Sequence, residues 1–192
     1  DDASEIKSID CINENAQYLS NTIEDFRDFF KKSKIKSFIN LDKLLEKTLK
    51  LILTRLKNKE ITIVKNNLDI EFETYEREMI QVFINIINNS IDALENKDYD
   101  KFIFFETQKF EDKIIIKIKD NAGGIEENIL DRIFEPYFTT KESKQGTGIG
   151  LYMCNEIIVK HLHGKILVSN ESFEYKNQKY IGSLFVIELP IM

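Results

Sequence analysis

The chain has no tryptophan, two prolines, two cysteines and two histidines among its 192 residues. Cys11 and Cys154 lie far apart, with no CxxC pair and no histidine at ligand spacing. That argues against a zinc site and a disulfide framework and fits a reducing cytoplasm. Long apolar runs are also missing: those present are short and broken by Lys or Asn, so nothing spans a bilayer, and no signal-peptide pattern opens the chain. Basic charge is not in excess either, with 27 Lys and Arg against 33 Asp and Glu, a net charge of −6, spread along the chain. Without a basic stripe there is no footprint for a phosphate backbone, which excludes nucleic acid as a partner. No internal repeat or low-complexity tract is present. The sequence opens on Asp1 rather than Met and reads as a fragment whose membrane or sensor part lies upstream, with no direct membrane contact in this stretch.

What is there suits one globular domain with an appendage, since 42% of residues are hydrophobic. Ile9, Ile12, Ala16, Leu19, Ile23, Phe26 and Phe30 recur at alternating steps of three and four, the seam of a long helix that packs on other helices. The charged and Ser-containing stretch after Phe30 breaks that seam and marks a boundary, giving a helical segment over 1–33 and a domain over 38–192. A second helical pattern runs from Phe38 to Leu56 and leads into a strand at Ile61–Val64. A long amphipathic helix is expected from about Tyr75 to Asn96. Two β-rich runs, Phe102–Thr107 and Lys113–Lys119, follow as an antiparallel hairpin. A short helix near Glu126–Leu130, a helix from Ile149 to Leu162, and strands at Lys165–Ser169 and Gly182–Leu189 complete the reading. The expected fold is α/β in the α+β sense: a two-layer sandwich of helices on a mixed, mostly antiparallel sheet, preceded by the N-terminal helix.

Three stretches carry the chemistry. On the long helix, Gln81, Asn85, Asn88, Asn89 and Asp92 share one side, opposite Phe83, Ile86, Ile87, Ser90 and Leu94, which face the core. By spacing alone the polar side reads equally well as a solvated face. Solvated faces usually carry Lys and Glu, however, and a stripe of neutral amides offers Mg²⁺ oxygen ligands while leaving room for phosphate oxygens. The second stretch, Asp120-Asn121-Ala122-Gly123-Gly124-Ile125, leaves a strand through two glycines, which permits an ordinary turn or the close approach of a ligand to backbone. The third, Gly146-Thr147-Gly148-Ile149-Gly150-Leu151, precedes a helix, where backbone N–H groups can face phosphates. It is neither a P-loop nor a dinucleotide fingerprint.

In this order and with these gaps the stretches resemble the N, G1 and G2 boxes of the ATP-binding domain of sensor histidine kinases, within the wider group of Hsp90, DNA gyrase B and MutL. The resemblance implies that ATP and Mg²⁺ are the cofactors, that Asn89 holds the metal with Asn85 assisting, and that Asp120 accepts a hydrogen bond from the adenine amino group while Gly124 leaves space for the ring. Ile125, Ile149 and Leu151 would line the adenine pocket or its floor, or serve simply as core. Arg132 to Lys141 resembles the hinged lid of the family, including Thr139, Thr140 and Lys141, with Lys141 and then Lys144 as phosphate contacts or solvated loop lysines. Gly182-Ser183-Leu184-Phe185 resembles the family's last glycine motif. With Asp92 as the acidic end of the N box and Asn85, Asn89 and Lys141 as the catalytic set, the resemblance implies transfer of the γ-phosphoryl group to a histidine.

Position 85 separates activities: gyrase-like and Hsp90-like ATPases have a Glu there, which can activate water, and Asn85 cannot. Many histidine kinases have Lys where Asp92 stands here, so that contact does not carry over. His161 and His163 both follow the G2 box, and neither is the acceptor. Residues 1–30 resemble the second helix of the dimerisation hairpin, so the acceptor helix is absent. The implied partners are a homodimer mate through that hairpin and the receiver domain of a response regulator. Two alternatives remain open at this point: a nucleotide-dependent interaction module, and a Ser/Thr protein kinase of the same fold.

Overall fold

The computed structural model describes residues 35–141 and 146–191. The expected N-terminal helix and Lys144 lie outside them. The elements, in chain order, are β1 (Ser37–Asn40), α1 (Leu41–Leu51), α2 (Leu53–Asn58), β2 (Ile61–Asn66), β3 (Glu71–Thr74), α3 (Glu76–Leu94), β4 (Lys101–Lys109), β5 (Lys113–Asp120), α4 (Gly150–Asn155), β6 (Lys165–Tyr175) and β7 (Gln178–Pro190). A 3₁₀ turn spans Glu127–Arg132, and α4 runs on as a π-helical turn over Glu156–His161.

The main sheet has the order β2-β4-β5-β7-β6, parallel between β2 and β4 and antiparallel elsewhere. The parallel pair needs a long crossover, which α3 supplies. The expected sandwich with a mixed, mostly antiparallel sheet is what the chain adopts. β5 shows why one face packs on helices: Ile114, Ile116 and Ile118 are buried at every second position. α3 meets them with Met79, Val82, Phe83, Ile86, Ile87, Ile91 and Leu94, all buried. Each such side chain contributes about 1.5–3 kcal/mol on burial. Glu76 and Glu78 in its first turn complement the helix dipole. The other sheet face is aromatic, with Phe104 edge-on to Phe173 and Tyr175 and the Lys119 ammonium 3.9 Å from the Phe173 ring centroid.

Several boundaries differ from expectation. The helical pattern beginning at Phe38 gives a strand first, since 37–40 pairs antiparallel with β3, and Asn40 then caps α1 by accepting from the Lys43 N–H at 3.1 Å. The same pattern breaks at Ile52 into two helices. β6 and β7 extend well beyond the predicted strands, because Lys176 (φ 51°) and Asn177 (φ 62°) form a two-residue turn of the kind that joins hairpin strands. Among the described residues no helix is long and apolar enough to cross a membrane.

Candidate functional site

α3 is the spine of the site, and its polar residues reach two separate clusters. The first forms where β5 ends. Asp120 continues the inward alternation of Ile114, Ile116 and Ile118, so the strand register itself carries a carboxylate into the interior, where it is 2% exposed. Four donors meet it there. The Ala122 and Ser183 N–H groups donate to Oδ1 at 2.9 and 3.1 Å, and the Ser90 and Ser183 hydroxyls donate to Oδ2 at 3.1 and 2.6 Å. This saturation is what lets a carboxylate sit buried. Burial, and then the charge of Asp120, push the nearby Tyr99 phenol above its ordinary pKa, and its hydroxyl donates to the Asn121 carbonyl at 2.8 Å.

The loop after Asp120 is held from across the sheet. The Asn170 side chain accepts from Ile125 N–H at 2.8 Å and donates to the Ile125 carbonyl at 2.7 Å, as a neighbouring strand would. Gly124, at φ +85°, lies against that amide: a Cβ there would stand 2.6 Å from Asn170 Oδ1. Gly182 admits the closest approach of all, since a Cβ would stand 1.7 Å from the Asp120 carbonyl oxygen. Ile125 is partly buried against the core, Ile149 and Phe185 are buried, and Leu151 packs at the core edge.

The second cluster lies further round α3. Lys141, at the end of the lid segment, donates to Asn89 Oδ1 at 3.1 Å and to Asp92 Oδ2 at 2.5 Å. Arg55 of α2 takes the other Asp92 oxygen, Oδ1, at 2.6 Å, and Asn88 Oδ1 at 2.5 Å. Asn85 is used differently. Its amide donates to the Gly150 carbonyl at 3.1 Å, bracing the start of α4. Cys154 of α4 donates to the Val82 carbonyl at 3.7 Å, and burial pushes its thiol up to about 12.

Lid and glycine box touch through backbone. A Cβ on Gly148, at φ +65°, would stand 2.3 Å from the carbonyl carbon of Tyr137, itself held at φ 65°. Gly146 faces the Thr139 hydroxyl oxygen, which accepts from Lys141 N–H at 3.1 Å, and the Thr147 hydroxyl oxygen accepts from Ile149 N–H at 3.2 Å. Thr140 is exposed beside them and has no role fixed by these contacts. His161 faces Glu78 with Nδ1 at 3.2 Å, and His163 (φ 55°) turns the chain into β6.

Of the residues named from the sequence, Asp120 and Ser183 fall in the first cluster and Asn89, Asp92 and Lys141 in the second, while Asn85 and residues 146–150 meet at the start of α4. Ser90, Arg55 and Asn170 join them without having been singled out. Ser90 had a legible signal, since a hydroxyl on an apolar helix face needs a buried partner. The other two come from elements distant in sequence and carry no local mark.

Residues 74–192 match the family described as histidine kinase-, DNA gyrase B-, and HSP90-like ATPase. Sporulation kinase E of Bacillus subtilis (strain 168) is 38% identical over 113 residues, which are 58% of this chain and 13% of that protein. The catalytic domain of histidine kinase ThkA superposes with a TM-score of 0.68 at 26% identity, covering 82% of this chain and 98% of that one. The fold also matches histidine kinase ThkA in its complex with the response regulator protein TrrA, with a TM-score of 0.67 at 23% identity over 92% of this chain and 49% of that one. Among the first curated relatives, the matching segment amounts to between 12% and 24% of the relative's length. The chain therefore belongs to the histidine kinase-, DNA gyrase B- and HSP90-like ATPases, and its described residues form the ATP-binding domain of that family.

Proposed function

We propose that this domain transfers the γ-phosphoryl group of ATP to a histidine on a dimerisation helix outside this chain, for relay to an aspartate of a response regulator. The observation that carries the reading is the state of Asn85. At the position where a hydrolytic enzyme of the family needs a carboxylate to activate water, this chain has an amide that donates to the Gly150 carbonyl. Such a group positions backbone and takes no proton, which disfavours hydrolysis and favours transfer to a side chain.

The two clusters divide the binding work. Asp120 would accept from the adenine amino group once the Ser90 or Ser183 hydroxyl turns away from Oδ2 to admit it. Asn89, Asp92 and Lys141 form the phosphate end. Mg²⁺ fits that end because Asn89 Oδ1 and Asp92 Oδ2 are hard oxygen donors that already hold a cation, the Lys141 ammonium. When bound, the metal neutralises phosphate charge. Asn89 would hold it with Asn85 assisting, Lys141 would exchange its carboxylate partner for a phosphate oxygen, and the backbone of 146–150 would close against Tyr137. Asn89→Asp adds a charge beside Asp92 and should abolish productive nucleotide binding with the fold intact.

In this reading residues 1–33 are the second helix of the hairpin, a second copy completes a four-helix bundle, the partner is a receiver domain, and the location is cytoplasmic. The test extends the protein upstream by one helix and supplies labelled ATP with Mg²⁺. Label that acid removes and base spares supports histidine transfer. Acid-stable label favours the Ser/Thr kinase alternative, and nucleotide binding without label favours the interaction module.

A further inference from the structure

We infer that Arg55 of α2 is a positioning residue for the phosphate end, acting through Asp92 so that the lid lysine can release that carboxylate and engage a nucleotide. The inference rests on the nucleotide-binding reading above.

Asp92 presents its two oxygens to two different cations. Oδ1 is held by Arg55 Nη2 at 2.6 Å and Oδ2 by Lys141 Nζ at 2.5 Å. Arg55 also anchors itself on Asn88 Oδ1, one turn earlier on the same helix, so the planar guanidinium is fixed at two points against α3. Lys141 has the opposite character. It comes from the lid, its other partner is the neutral Asn89 amide, and it is the cation with a reason to leave.

A carboxylate beside the phosphate end is a liability unless it is neutralised. Asp92 is 28% exposed at its side chain, enough that solvent weakens the repulsion of a polyphosphate but does not abolish it. If Lys141 alone neutralised Asp92, moving Lys141 onto a phosphate would strand the charge next to the ligand. With Arg55 in place the carboxylate stays paired after Lys141 departs. Arg55 thereby lowers the cost of the lysine's exchange of partners and keeps Asp92 turned so that Oδ2 faces the site.

The experiment measures the affinity of the whole chain for ATP and for AMP, with Mg²⁺, in wild type, Arg55→Gln, Arg55→Lys, Asp92→Asn and the Arg55→Gln/Asp92→Asn double variant, alongside thermal melting. Arg55→Gln should weaken ATP about three- to fivefold, the scale of a half-exposed ion pair, and leave AMP unchanged because the adenine cluster is intact. Removing the stranded charge in the double variant should restore ATP affinity to near that of Asp92→Asn alone. Arg55→Lys should fall between wild type and Arg55→Gln, since it keeps the charge and loses the two-point anchor. A wild type that binds no ATP refutes the nucleotide reading itself. A wild type that binds ATP while Arg55→Gln binds it equally well overturns only the role of Arg55. Equal losses for ATP and AMP with a lowered melting point, unrelieved in the double variant, would make Arg55 a merely structural residue and also overturn it.

Discussion

Gly148 and Gly150 stand two residues apart in one motif, yet the structure assigns them opposite tolerances. An alanine at 148 must adopt φ near +65°, which costs about 1–2 kcal/mol for an L-residue. Its Cβ would also lie 2.3 Å from the Tyr137 carbonyl carbon and 2.7 Å from the Phe138 nitrogen. Both are backbone atoms, so no side chain can swing away and the lid itself must move. At 150 the nearest atom to a Cβ is Asn85 Cγ at 3.6 Å, an ordinary contact. That residue also begins α4, where alanine is preferred over glycine by up to about 1 kcal/mol. Because the 148 contact joins lid to glycine box and not core to core, the loss should appear in nucleotide affinity. The conformational cost alone converts to about a five- to thirtyfold weaker Kd, with the clash added to it. Isothermal titration with ATP and Mg²⁺, beside a urea melt, reads both quantities. Gly148→Ala should lose at least that factor with a nearly unchanged melt, and Gly150→Ala should keep affinity within about twofold, the scale of an ordinary surface change. Equal losses in the two variants would refute the packing argument, and wild-type affinity in Gly148→Ala would refute the assignment of this loop to the ligand.

At Asp120, alanine strands four donors and should cost about 3 kcal/mol or more. In Asp120→Asn, by contrast, the new side chain can keep its oxygen on the two N–H groups and turn its amide hydrogens to the Ser90 and Ser183 hydroxyls, which accept as well as donate. Urea melts should therefore separate the pair, while adenine affinity should fall in both; a destabilised Asp120→Asn would contradict this bonding scheme. Gly182→Ala drives a methyl into the Asp120 carbonyl and should cost more than about 3 kcal/mol by prising β7 from β5, so a near-native melting temperature would be incompatible with the described register. The Cys154 thiol, raised to about 12 from its ordinary 9.0, stays protonated in the fold. Between those values the folded state binds the extra proton, so its contribution to stability falls as pH rises from 9 toward 12. Alkylation by iodoacetamide at about pH 8, below the ordinary thiol range, should await unfolding, and prompt labelling of the native protein would contradict the burial.

How much of this was legible in the sequence depended on whether a residue's partner was local. α3 was readable because its 19 residues repeat one helical pattern, and β5 because isoleucines alternate up to Asp120. In the fold the same alternation carries Asp120 to the next inward position, where a carboxylate needs donors, although the sequence marked Asp120 only by its motif. β1 was misread as helix because so short a strand cannot display a period, and what makes it a strand is β3, a distant segment of the chain. Lys176-Asn177 was missed as a turn because neither residue is glycine, although asparagine tolerates the left-handed region.

The site divides along the same line. The glycines and asparagines were legible as boxes, but their work was not. Gly124 reads as a space for a ligand ring, and in the fold its missing side chain leaves room for Asn170; Asn85 reads as a metal ligand, and it braces Gly150. Asn170 occupies the space beside Gly124, and Gly150 takes only an amide hydrogen of Asn85, whose side-chain oxygen has no part in that bond. A motif fixes which chemical groups are brought near the ligand. Residues such as Asn170 and Arg55, one on a distant strand and one on a short helix before the motifs begin, decide which of those groups remain free to meet it.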